Sequence, residues 1–257
     1  MMNDLQLALA LADAADQISL TRFKSLDLNV ETKPDRTPVT DADKSVEAEI
    51  RKLIAEAAPE DAVIGEEYEN TGSGLRAWII DPIDGTANFL RGIPIWATLI
   101  ALKENGVLTT SVVSAPALGR RWWATKGAGA WTQDVDGSVR RISVSAVSDL
   151  ADSYISYNSL QQWQRIGKAA NIESLSEKVW RIRAFGDFLS YMYVAEGAID
   201  AASEPDLKIY DIAALVPIVE EAGGRFTDLS GELTAESSNV LASNGLIHEA
   251  IRAELNR

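Results

Sequence analysis

Apolar positions follow two rhythms along this chain. Near its start Leu5, Leu9, Ala12 and residues 15–18 recur every three to four positions, and Val46, Ile50, Leu53, Ile54 and Ala57 do so again. That spacing gathers apolar side chains on one helical face, so two amphipathic helices are predicted to open the protein, the first within 1–24. Residues 33–43 between them are polar, carry Pro34 and Pro38, and predict a connection,. The rhythm then shortens. Apolar runs at 62–65, 77–81, 97–103, 107–115 and 121–124, several separated by glycine-containing turns, predict a meandering sheet,. From about 153 onward, strands at 154–157, 179–183, 198–202 and 240–243 alternate with helices near 160–170, 187–196, 211–222 and 245–256, an α/β pattern,. No low-complexity linker or repeat divides the two patterns. The expectation is an N-terminal α+β half (1–145) and a C-terminal α/β half (146–257) sharing an interface, with a site between them.

Composition sharpens this picture. The chain has 257 residues, 46% of them hydrophobic, enough for a sizeable core,. Its formal net charge of −14 repels nucleic acid and anionic membranes but suits carboxylates that hold divalent cations,. No nucleic-acid or membrane partner is therefore expected. Without cysteine there is no disulfide, thiolate metal site or cysteine nucleophile, and a cytoplasmic protein is the simplest reading,. Asp4, Asp13 and Asp16 interrupt the apolar N-terminus and argue against a signal peptide, and no apolar run approaches membrane-spanning length,.

Acids cluster where elements end. In Trp78-Ile79-Ile80-Asp81-Pro82-Ile83-Asp84-Gly85-Thr86-Ala87 a buried strand runs into two acids three positions apart and a glycine turn. If a helix starts there, Gly85, Thr86 and Ala87 expose backbone N–H groups to an anion; an ordinary Asp-Gly turn is the alternative. Glu66 and Glu67 follow the run 62–64, as metal ligands or as a solvated pair. Thr40 and Asp43 form a candidate capping box that is compatible with a metal role. Asp211 precedes a predicted helix and reads as its N-cap or as a further ligand,. Acids drawn from distant segments are how a magnesium site is built. Other chemistries lack their parts: there is no G-x-S-x-G, Walker A or H-E-x-x-H motif, and the only histidine, His248, falls on a predicted surface helix,. Lys126-Gly127-Ala128-Gly129-Ala130 reads as a hairpin turn, and the tryptophans as core and interface,.

Four ordered motifs, Thr40 to Asp43, Gly65-Glu66-Glu67, Asp81 to Thr86, and Tyr210-Asp211 with Glu220 to Gly224, resemble the inositol monophosphatase superfamily over nearly the full length. The resemblance implies a layered α-β-α-β-α sandwich of the inositol monophosphatase and sugar phosphatase type, a homodimer, and two or three magnesium ions. It implies metal ligands at Glu66, Asp81, the Ile83 carbonyl, Asp84 and Asp211, with Asp43 near a third ion. Glu66, Thr86 and Asp43 would activate water, and Gly85, Thr86 and Ala87 would bind phosphate. Tyr210 departs from the tryptophan common before that aspartate. The segments 91–102, 114–124 and 211–217 look like the actinobacterial histidinol-phosphatase branch, as does Gly186-Asp187. Asp187 and Glu204 would then face a cationic leaving group, although an inositol enzyme could use Glu204 for ring hydroxyls; Arg183 would contact substrate or stabilise the site by ion pairing, and a helix cap is the alternative for Asp187. The expected activity is hydrolysis of a small phosphate monoester, L-histidinol phosphate. Other substrates of the superfamily, a silent cation- or phosphate-binding protein and a dimerisation module remain open alternatives.

Overall fold

The computed structural model describes residues 2–33 and 37–257; Met1, in the span predicted to hold the first helix, and Pro34, in the predicted connection, lie outside them. Helix α1 (Asp4–Arg22) starts at a capping box between Asn3 and Gln6 and buries Leu7, Ala8, Leu11, Ala12 and Ala15,. Leu5, Leu9 and Ile18 pack at the margin of that face. The polar connection contains a short antiparallel pair, β1 (Val30–Thr32) with β2 (Pro38–Thr40). Helix α2 (Asp41–Ala57) follows, capped by Thr40.

The predicted meander is a seven-stranded sheet in sequence order: β3 (Ala62–Gly65), β4 (Arg76–Asp84), β5 (Ala97–Glu104), β6 (Val107–Ala115), β7 (Arg120–Thr125), β8 (Ala130–Gln133) and β9 (Val139–Arg141). A short helix, α3 (Thr86–Leu90), leaves β4. The Gly127 to Gly129 segment turns β7 into β8. Strands β8 and β9 escape the hydrophobic pattern because β9 is exposed throughout and β8 buries only Ala130 and Thr132.

The second half contributes β10 (Tyr154–Ser156), α4 (Leu160–Arg165), α5 (Ala169–Ser176), β11 (Arg181–Arg183), α6 (Asp187–Ala195), β12 (Ala201–Glu204), α7 (Ile209–Ile212), α8 (Leu215–Glu221), β13 (Arg225–Asp228), β14 (Val240–Ser243) and α9 (His248–Leu255). Its five strands lie in the order β11-β10-β12-β14-β13. The helix expected over 160–170 is interrupted at Gly167, whose φ is +75°. The one expected over 211–222 is two helices, because Pro217 has no N–H to donate four residues back and is tolerated only in the first turn of α8,. The strand expected at 198–202 begins at Ala201, since Ala198 and Ile199 still bond the Tyr193 carbonyl as the chain leaves α6.

Alternation along the strands builds the layers. On β4 and β5, Trp78, Ile80, Ile100 and Leu102 face α1 and α2 through Leu11, Ala15, Val46 and Ile50,. Ile79, Leu99 and Ala101 belong to the opposite face, packed with Phe188, Met192, Leu215 and Val219 of α6 and α8. The same cluster continues into Ala202, Phe226, Val240 and Ala242 of the second sheet. Beyond that sheet, Ile155, Ala201 and Leu241 pack against Trp163, Ile172, Leu175, Ile251 and Leu255. The result is the expected helix, sheet, helix, sheet, helix sandwich. His248 is not on a surface: it is fully buried on the inner face of α9, its ring nitrogens 2.9 Å from Thr227 Oγ1 and 2.8 Å from Ser243 Oγ. Burial lowers its pKa to about 4, so the ring is neutral and structural,.

Candidate active site

The parallel pairing of β3 with β4 sets Gly65 opposite Ile80, so Glu66 and Asp81 follow side by side. The β4–β5 register shifts between Asp81 and Asp84, around Pro82, which cannot donate to a ladder,. Strand β4 therefore continues to Asp84 instead of ending at Asp81, and the bulge brings both acids to one cavity. Asp81 Oδ1 accepts from Ile83 N at 3.0 Å, and Asp84 Oδ2 accepts from Phe188 N at 2.8 Å in the first turn of α6. Asp211 is not the expected N-cap. It lies inside α7 and accepts from Lys208 N at 2.7 Å.

One oxygen each from Asp81, Asp84 and Asp211 lies within 4.8 Å of the others. Burial, reinforced by Glu66 and neighbouring acids, holds Asp81 well above the usual carboxylate range; burial and the acids Asp187 and Asp211 do the same for Asp84. Burial also pushes Asp211 up to about 7, against the opposing Lys208 backbone bond. No lysine or arginine lines the cavity among the described residues. Three acids this close, Asp81 buried and the other two partly so, ionise together only with a cation between them, and carboxylate oxygens beside the Ile83 carbonyl are hard donors of the kind magnesium takes,. The residues present fit that ion.

Behind this cluster, Asp43 is the helix cap read from the sequence and also reaches Thr86. Its carboxylate completes the α2 capping box, with Oδ2 2.8 Å from Thr40 N and 2.5 Å from Thr40 Oγ1. Its Oδ1 is 3.2 Å from Thr86 Oγ1, which also lies 3.0 Å from the Ile83 carbonyl. Asp43 is fully buried, and burial raises its pKa. Gly85 caps α3 at φ +83°, a left-handed conformation, and a side chain there would start 2.9 Å from the Ile95 carbonyl,. Thr86 and Ala87 open the helix, so their N–H groups have no intrahelical partner,.

Glu66 lines the cavity but stands outside the aspartate trio, because Lys33 Nζ lies 2.7 Å from both Glu66 Oε1 and Glu67 Oε1. Burial alone would lower the Lys33 ammonium pKa; the bonds to Glu66 and Glu67 outweigh it and raise it. Burial lifts Glu67 to about 7 despite that bond. The segment bearing both glutamates hangs on Glu47, fully buried, whose Oε2 accepts from Glu67 N at 2.7 Å and whose Oε1 accepts from Arg51 Nε at 2.7 Å. Neither Lys33 nor Glu47 stands out as a site residue in the sequence. Glu47 was nonetheless detectable there, as an acid on the stripe of α2 that contains Val46, Ile50 and Ile54,.

The remaining wall of this cavity, about 260 Å³ in volume, carries Gln162, Asp187, Tyr191, Glu204 and Asp206. Asp187 makes no helix cap; its Oδ2 accepts from Asn88 Nδ2 at 2.7 Å, and its N–H donates to Asn158 Oδ1 at 2.9 Å. Burial raises Asp187 to about 6, opposed by the Asn88 bond. Burial, then the Asp187 charge, raises Glu204 to about 8. Arg183 sits exposed on the edge strand β11, donates to the Ile182 carbonyl at 2.7 Å, and does not line the cavity. Asn88, Asn158 and Gln162 carry no warning in the sequence because their roles exist only once α3, α4 and α6 converge.

The chain matches the inositol monophosphatase family over residues 2–257. It is 51% identical over 257 residues to a histidinol-phosphatase of Mycobacterium tuberculosis, covering 99% of this chain and 98% of that protein. A Thermotoga maritima IMPase superposes with a TM-score of 0.89 at 34% identity, over 99% of this chain and 97% of that one. An IMPase/NADP phosphatase complexed with Mg2+ and phosphate has a TM-score of 0.85 at 25% identity, over 97% and 94% of the two chains.

Proposed function

This chain belongs to the inositol monophosphatase family and is a phosphoric monoester hydrolase, and we propose that it is a magnesium-dependent phosphatase of L-histidinol phosphate. The observation that carries the chemistry is the close trio Asp81, Asp84 and Asp211, with no basic side chain lining the cavity among the described residues. The substrate reading is supported by full-length identity to a histidinol-phosphatase and by the acidic wall of Asp187 and Glu204, which suits an ammonium-bearing alcohol,.

Asp81, Asp84, Asp211 and the Ile83 carbonyl would hold two magnesium ions together with Glu66, once Glu66 leaves Lys33; Asp43 would lie near a third. Bound magnesium supplies charge compensation for the phosphoryl group and makes water a stronger acid. We assign to Gly85, Thr86 and Ala87 the task of receiving phosphate oxygens on backbone N–H groups. Glu66 and the Thr86–Asp43 pair orient the attacking water and take its proton as it approaches phosphorus. The bond from phosphorus to the leaving oxygen then breaks, that oxygen takes a proton from solvent water, and the alcohol departs along Asp187 and Glu204. Within this reading the enzyme is cytoplasmic and homodimeric; exposed Leu160, Ile166 and Trp180, all from the segment 160–180, supply apolar surface for a second copy.

The test is phosphate release from metal-stripped protein given Mg2+ and, in parallel, L-histidinol phosphate, inositol 1-phosphate and fructose 1,6-bisphosphate. Histidinol phosphate is the expected preferred substrate, and Asp84→Asn lowers turnover by more than about 100-fold. Preference for another ester overturns the substrate, and release without a divalent metal overturns the chemistry.

A further inference from the structure

Gln162 on α4 lines the cavity, and its Nε2 lies 3.2 Å from Glu204 Oε1. With Glu204 ionised, as a cation in the cavity would keep it, its carboxylate only accepts, so the amide turns its NH2 toward Glu204 and its oxygen away. That oxygen, Oε1, is shielded from water and has no hydrogen-bond partner among the described residues. An unpartnered buried acceptor is destabilising, and on a side chain that lines a cavity a rotation of the amide would present it to a ligand's donor,. The helix is held in place on both sides. Trp163, fully buried, donates from Nε1 to the Tyr157 carbonyl at 2.7 Å, and Arg165 bonds Asp206 at 2.9 Å across to the segment after β12. Gln162 is therefore positioned by the fold.

The neighbouring charged groups on this wall, Asp187, Glu204 and Asp206, are acceptors too. A hydroxyl can donate to this wall but is neutral and leaves its own lone pairs unmatched, whereas an ammonium brings only donors and a positive charge, so a wall of acidic acceptors favours the ammonium. We propose that Gln162 Oε1 receives an N–H of the leaving group and is a specificity-determining residue, selecting phosphate esters of amino alcohols over those of polyols. This inference rests on the reading of the cavity as a phosphatase site for a cationic ester.

The experiment compares wild type, Gln162→Leu and Gln162→Glu, all Mg2+-loaded, on L-histidinol phosphate and glycerol 1-phosphate, with L-histidinol binding followed by calorimetry. Leucine removes the acceptor and should lose about tenfold more kcat/KM on histidinol phosphate than on the glycerol ester, in KM more than in kcat, and weaken L-histidinol binding about tenfold. Glutamate keeps an acceptor oxygen while losing the amide bond to Glu204, and should retain most of the preference and the L-histidinol affinity. Equal losses on both esters, or a glutamate variant that behaves like leucine, overturn the inference and leave the phosphatase reading standing. A wild-type enzyme with no preference between the two esters refutes the substrate reading itself, and this inference with it.

Discussion

The acids around the cavity are held in states that water would not allow. Asp211, raised to about 7 by burial, binds its proton more tightly in the folded chain than in the unfolded one, where a carboxyl titrates near 3.8. Its contribution to stability is therefore complete below about pH 3.8 and is lost as pH rises through about 7. Metal-free protein should melt at falling temperature between about pH 5 and about pH 7.5, and Asp211→Asn should flatten that slope. Added Mg2+ should raise the melting temperature more at the higher pH, because cations bind the deprotonated acids. Thermal melts check both, and an unchanged slope in the variant would remove Asp211 from the coupled group.

At the scale of elements, the site depends on how strands and helices end. The bulge around Pro82 carries β4 on to Asp84, and Gly85 then turns the chain into α3. Gly85→Ala should cost about 1–2 kcal/mol in backbone strain alone. The contact with the Ile95 carbonyl would also move Thr86, so phosphatase activity should drop more than stability. Denaturant unfolding and kcat measured on the same preparation test this; a folded variant within about twofold of wild-type activity would contradict the role of this turn. The α2 N-terminus shows the same economy of parts, since Asp43 caps its own helix and reaches Thr86.

Across the whole molecule, the middle helices α6 and α8 bury residues against both sheets in one cluster. Met192 lies at the centre of it, fully buried. Met192→Ala should destabilise the protein by about 2–5 kcal/mol. Unfolding followed by far-ultraviolet circular dichroism and by tryptophan fluorescence should stay coincident, because neither sheet keeps its inner face covered without those helices. Two separate midpoints would show that the halves unfold independently.

By itself the sequence determined the elements whose apolar spacing or apolar runs stand out, among them α2, β5, β6 and β14, and the four acidic motifs at element ends. Local hydrophobic spacing and turn chemistry act over a few residues, so they are readable without a fold. The layered order and the substrate branch were legible only through resemblance. Only the tertiary structure decided that Arg183 lies outside the cavity, that His248 is core, that Lys33 holds Glu66, and that Glu47, Asn88 and Gln162 support the site. These depend on separate elements meeting in space, and apart from the acid on the α2 stripe at Glu47 no local pattern encodes them. The physical reason is desolvation: a carboxylate or an amide acquires its role from the groups that replace water around it, and those are chosen when the two sheets close on the helices between them.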